Sequence, residues 1–157
     1  VDIEAVETNI DLTRVVSQLL ASADAFFARF GFSRGRFLVL VTLLFEEEGL
    51  NSGKLAEHFQ VTPATMTGLV DTLLKDGYVK RRDDPSDRRV SRVVITERGR
   101  RFMDELLPAH YHRAAVLMSR LSPADRAALS RIMRKVEAGL DALRIEETEK
   151  ASTAKSA

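Results

Sequence analysis

Residues 62–99 read TPATMTGLVDTLLKDGYVKRRDDPSDRRVSRVVITERG, and two features of this stretch decide the fold. Thr62 followed by Pro63 opens a helix. A threonine hydroxyl can accept from an orphan N–H of the first turn, and proline loses nothing there because its missing N–H would have had no partner. Met66, Leu69, Val70, Leu73 and Leu74 then fall on one apolar stripe. Gly77 supplies the left-handed residue that ends the helix. The second feature is a change of period: Tyr78–Arg82 and Val90–Ile95 read as two strands of a hairpin. Between them, four arginines and three aspartates crowd into residues 81–89. Such a loop admits three readings: a solvated, salt-bridged hairpin, a metal or acid–base site, or an arm that reaches for a polyanion.

Outward from this stretch the chain is helical. Asn51 can cap a short helix with Leu55, Ala56 and Phe59 inside, so residues 51–76 form a helix–turn–helix. Residues 10–30 carry Leu12, Val15, Val16, Leu19, Ala23, Phe26, Phe27 and Phe30 at steps of three and four, an amphipathic helix with Gly31 as its stop. A second helix follows Ser33 and ends at Gly49. Thr96 caps a long helix to about Arg120. Pro108 is expected to kink or split it. Ser122 and Pro123 open a last helix, with Asp125 as a capping-box variant and Leu129, Ile132, Met133, Val136, Leu140 and Leu143 as its stripe. The tail, 146–157, has no apolar content beyond alanine and is expected to be disordered. The fold class is therefore mainly α with a small β-hairpin wing: a winged helix–turn–helix lobe plus a helical dimerisation region. The stripes at the two ends of the chain are too long for the small lobe to cover, and a two-fold homodimer would bury them.

Composition narrows the function. The chain has 157 residues, 45% hydrophobic and 30% charged, with a net charge of +1. It has no cysteine, which excludes disulfides, thiolate catalysis and cysteine-based redox sensing. Its start lacks a secretory pattern, and its apolar runs fall short of the ~18 residues of a membrane span, so a cytoplasmic protein without membrane contact is expected. His110 and His112 are two apart on a helix and point to opposite sides, so no metal is expected. No cofactor is implied. Carboxylates and histidines are scattered without nucleophile–base spacing, which leaves an enzyme unsupported.

What remains is double-stranded DNA. The second helix of a helix–turn–helix enters the major groove and offers side chains to base edges. Here that face is small and hydroxyl-bearing. The residues expected at DNA are Ser52, Lys54, Thr62, Ala64, Thr65, Thr67, Gly68 and Lys75 of the helices, and Arg81, Ser86, Asp87, Arg88 and Arg89 of the hairpin. An arginine at a hairpin tip fits a narrow minor groove better than an ammonium does. Asp87 stands two residues from Arg89, on the same side of an extended strand, and is read as its orienting partner. From Lys54 to Arg100 there are ten Lys/Arg and seven Asp/Glu, a local net of +3. The alternative is a winged-helix protein-interaction module without specific DNA binding, against which the arginine-tipped wing and polar helix face argue.

The segment LAEHFQVTPATMTGLVDTLLKDGYVKR from Leu55, followed by DRRVSRVVITERG from Asp87, resembles the MarR family of bacterial transcription regulators. Asp87, Arg89, Ile95, Thr96 and Gly99 fall in the places of its wing signature. The resemblance implies a single domain over 1–145, with 10–31 and 102–144 as the helical dimerisation region and 33–99 as the winged lobe. It also implies a homodimer on a pseudo-palindromic operator, and repression relieved by a small-molecule effector such as an aromatic anion. The family pocket would lie near Phe26, Phe27, Phe30, Phe32 and Phe37. Phe26, Phe30 and Phe37 are the candidate ligand contacts, although such a cluster also reads simply as core.

Overall fold

A computed structural model describes residues 1–84 and 91–155, with side chains to Lys150. The elements in chain order are α1 (Ile3–Ala28), α2 (Arg34–Leu44), β1 (Leu50–Asn51), α3 (Ser52–His58), α4 (Pro63–Lys75), β2 (Val79–Asp83), β3 (Ser91–Ile95), α5 (Glu97–Leu117) and α6 (Pro123–Lys155). The expected class is found: helices around one small antiparallel sheet. The chain divides into two units, Val1–Pro108 and Ala109–Ala157.

The first unit holds the core. Phe27, Val39, Leu40, Leu43, Leu55, Met66, Val70, Leu73, Val93, Met103 and Leu106 are fully buried. The stripe of α4 packs against α2, α3 and β2. Side-chain caps start most of these helices. Ser33 accepts from Arg36 N at 3.3 Å, Asn51 from Lys54 N at 2.7 Å, Thr62 from Thr65 N at 3.1 Å and Thr96 from Gly99 N at 3.1 Å. The Thr96 hydroxyl also reaches the carbonyls of Gly77 at 2.7 Å and Tyr78 at 3.0 Å, so the residue that opens α5 closes the turn after α4.

The sheet has three strands in the order β1-β3-β2, one more than the sequence predicts. β2 pairs with β3 from Val79↔Ile95 to Asp83↔Ser91, and β1 adds Leu50↔Val93 and Asn51↔Arg92 on the other side. Gly49 makes this possible. Its φ is +69°, and a Cβ there would stand 2.3 Å from the Val93 carbonyl oxygen. The glycine is therefore not the stop of α2, which already ends at Leu44 with Phe45 N donating to Thr42 O. It lets the chain graze β3 and add a strand.

Other boundaries move too. α1 starts at Ile3 rather than near residue 10, because Asp2 caps it by accepting from Ala5 N at 3.0 Å. α5 runs unbroken through Pro108 instead of splitting; proline removes one backbone hydrogen bond, and Met103 and Leu106 are buried in the preceding turns.

The second unit contains the end of α5 and all of α6. The Ser122–Asp125 box forms: Ser122 N donates to Asp125 Oδ2 at 2.9 Å and Asp125 N donates to Ser122 Oγ at 3.2 Å. Within the tail expected to be disordered, helix continues to Lys155. No proline or glycine follows Gly139 to stop it. Glu146 pairs with Lys150 one turn on, and the Thr148 hydroxyl bonds back to Arg144 O at 2.7 Å. The division between the units falls at Pro108, within α5, and no described residue of α6 is buried.

Candidate nucleic-acid interface

α4 is two-faced. Met66, Val70 and Leu73 are buried, whereas Thr62, Ala64, Thr65, Thr67, Gly68 and Lys75 are exposed. Lys54 and Arg81 are exposed as well, and Ser52 is half-buried at the start of α3. Gly68 is open, since a Cβ there would meet nothing among the described residues within 4 Å. The threonine hydroxyls are not idle. Thr67 donates to Pro63 O at 2.9 Å, Thr72 to Gly68 O at 2.8 Å, and Thr65 and Thr62 share a hydroxyl contact at 2.9 Å. Turned onto their own helix, Thr67 and Thr72 present methyl groups and acceptor lone pairs outward.

The base of the wing is pinned at several points. Arg82 donates to Glu48 Oε2 at 2.7 Å and to Glu48 O at 2.9 Å, tying β2 to the turn before β1. Arg81 stands 3.6 Å from Asp71, which links β2 to the exposed side of α4. Asp84 is buried and takes Arg92 Nε at 2.5 Å. Ser86, Asp87, Arg88 and Arg89, the expected tip of the wing, lie outside the described residues, and with them the expected Asp87–Arg89 pair.

Two ion pairs close to the site were not foreseen. The Asp84–Arg92 pair spans the hairpin, and Arg36 of α2 pairs with Asp76 at the end of α4. The second joins residues 40 apart in sequence, so no local pattern announces it. Arg36 also lies over the Phe32 ring, 4.1 Å from its centroid.

The aromatic residues divide. Phe26 and Phe37 are core, each packed against Phe27 at ring separations of 5.1 and 4.6 Å; Phe30 is partly exposed, 5.3 Å from Phe26. A separate groove of about 350 Å³ opens between the start of α2, with Ser33, Arg34 and Leu38, and the α4 side, with Val61, Thr65 and Leu69. It shares no residue with the Phe26–Phe30–Phe37 set and one, Thr65, with the exposed face of α4. Among the described residues no group of three His, Asp or Glu could hold a metal ion, and no helix is long and apolar enough to cross a membrane.

A capped helix–turn–helix, its second helix bare on one side and flanked by a basic hairpin, defines a winged-helix DNA-binding protein. The comparisons make the class specific. The MarR family profile matches residues 32–91. The HTH-type transcriptional repressor YetL of Bacillus subtilis is 30% identical over 128 residues, covering 80% of this chain and 76% of that one. The transcriptional repressor MprA of Escherichia coli is 29% identical over 126 residues, covering 80% and 72%. Among solved structures, Sco3205, a MarR family transcriptional regulator from Streptomyces coelicolor in complex with DNA, superposes with a TM-score of 0.82 at 26% identity, covering 89% of both chains. The chain belongs to the MarR family of winged helix–turn–helix transcription regulators, and so to DNA-binding proteins rather than enzymes.

Proposed function

We propose that this regulator is a homodimeric repressor that reads a pseudo-palindromic operator, with α4 in the major groove and Arg89 of the wing in the adjacent minor groove. The observation that carries the reading is the bare face of α4 around Ala64, Thr65 and Gly68, free of any packed neighbour at Gly68 and beside a pinned wing. Small side chains let a helix backbone approach the groove floor. Ser52, Lys54, Thr62, Thr67 and Lys75 border that face. Arg81, Ser86, Asp87 and Arg88 accompany Arg89 on the wing. YetL and MprA carry the name of repressor, and Sco3205 was solved with DNA.

Dimerisation is supported by what a single chain leaves bare. Ile3, Val6, Ile10, Val15 and Leu19 of α1 are exposed, as are Ile132, Met133, Val136, Leu140 and Leu143 of α6. Monomers rarely leave such continuous apolar surface in water, and a two-fold partner presenting the same faces would cover it. On this reading 10–31 and 102–144 serve dimerisation, 33–99 forms the DNA-binding lobe, and the protein works in the cytoplasm. A small molecule, such as an aromatic anion, relieves the repression.

The test is a gel shift of the full chain on DNA from upstream of its own gene at two salt concentrations, with a scrambled duplex as competitor. A discrete complex that survives the competitor and weakens steeply with salt is expected. Equal affinity for both duplexes, or no complex at low salt, overturns the reading.

A further inference from the structure

The first turn of α2 touches the recognition helix at two places. Gly35 lies so close to Leu69 that a Cβ would stand 3.1 Å from Leu69 Cδ2. One residue on, Arg36 pairs with Asp76, the C-cap of α4. Leu69 and Asp76 are about 10 Å apart along the helix axis at 1.5 Å per residue. Two contacts that far apart on one rod fix its direction as well as its position.

The chemistry of the second contact is unusual. A carboxylate at a helix C-terminus and a guanidinium in a first turn each oppose their own helix dipole. Asp76 and Arg36 stand in those positions, so each offsets the other's misfit. The Arg36 side chain is only 12% exposed, and its buried Nε has no hydrogen-bond partner among the described residues. Buried ion pairs add little net stability but constrain geometry. The guanidinium is also held from beneath by Phe32, whose ring packs at 4.7 Å from Phe102 of α5 and 5.7 Å from Tyr78. α5 is thereby linked through Phe32 and Arg36 to the end of α4.

We infer that Gly35, Arg36 and Asp76 are positioning residues for operator recognition: without touching DNA, they set the angle at which α4 enters the groove. This rests on the reading that α4 is the groove helix.

The test uses the full chain, a duplex selected by the wild-type protein from a random pool, and a scrambled duplex of the same composition. Arg36→Met, Asp76→Asn and the double variant are titrated over a range of salt. Each single variant loses about tenfold on the selected duplex, the scale of one misread base pair, and nothing on the scrambled one. The salt slope stays at the wild-type value, because no phosphate contact is removed. The double variant loses no more than the worse single. Arg36→Lys recovers part of the loss, since an ammonium keeps the charge without the flat face. Gly35→Ala probes the first contact without touching a charge: the added methyl presses on Leu69, and the ratio of selected to scrambled affinity falls severalfold while the circular-dichroism spectrum stays that of the wild type. Equal loss on both duplexes, a flatter slope, additive losses, or an unchanged ratio in Gly35→Ala overturns the inference. Thr65→Glu keeps the two readings apart. If it binds the selected duplex normally, the groove-helix reading fails. If it loses that duplex while Arg36→Met keeps it, only the positioning role fails.

Discussion

Arg82 and Arg92 sit directly opposite each other across the β2–β3 ladder, and each is turned to a different carboxylate: Arg82 to Glu48 and Arg92 to Asp84. Like charges facing across a sheet repel, so the hairpin base depends on these two acids. Asp84 is 8% exposed, whereas the Glu48 side chain is 68% exposed. Asp84→Ala should therefore cost on the order of 1–3 kcal/mol, the penalty of leaving the part-buried Arg92 guanidinium without its carboxylate. Glu48→Ala should cost about 1 kcal/mol or less, as for other surface pairs. Thermal unfolding checks this. Equal melting temperatures for the two variants would show that burial does not rank them.

Gly68→Ala should move stability and binding in opposite directions. A Cβ there meets nothing, and alanine is better than glycine in a helix interior by about 1 kcal/mol. The melting temperature should rise, while operator affinity falls as the methyl group lifts the helix from the groove floor. A gain in both, measured by calorimetry and gel shift, would place this face away from the DNA.

Arg89→Ala should weaken operator binding by roughly 1–3 kcal/mol and Asp87→Ala by less. The losses should not add if Asp87 acts by holding Arg89. Salt dependence should flatten by about one counterion per wing. Normal binding by both variants would return the loop to a solvated hairpin.

Ile132→Asp and Leu140→Asp place a carboxylate in the exposed apolar stripe of α6. Light scattering should give a dimer mass for the wild type at micromolar concentration and a monomer for the variants. A wild-type monomer would leave the stripes without the partner argued for them.

Acid should weaken the second unit in two steps. Burial first, and then the Arg113 charge, lower the His110 pKa from 6.5. The folded state thus favours the neutral ring. That contribution is fully present above about pH 6.5, the unfolded value, and is lost as pH falls through the lowered folded value. Ser122 lowers the Asp125 pKa from 3.8, first through its hydroxyl and then through its backbone N–H. This share is present above the ordinary carboxylate value and disappears at still lower pH. His110→Gln should flatten the melting-temperature profile in the upper window and leave the lower one. An unchanged upper window would assign the effect elsewhere.

The sequence made the lobe readable where local chemistry speaks for itself. The caps at Ser33, Asn51, Thr62, Thr96 and Ser122, and the left-handed glycines at 31 and 77, stand where a cap or turn was expected. The start of α1 was also legible in principle, since Asp2, Ile3, Val6 and Ile10 carry a cap and the right spacing. β1 was not, because two residues have no period to detect; it exists only through the Gly49–Val93 approach. The face of α4 could be drawn from its stripe. The Arg36–Asp76 and Asp84–Arg92 pairs could not, because they depend on how elements pack and not on neighbours in the chain.

With β1 on one side and β2 on the other, β3 has no free edge along Arg92 and Val93. A two-stranded arm could swing by itself, but this one cannot leave the lobe without breaking the β1–β3 ladder. Local opening would start at the outer strands, so the amide protons of β3 should be among the last in the sheet to exchange with solvent. A mechanical load applied through the wing would then be borne by the lobe as a whole.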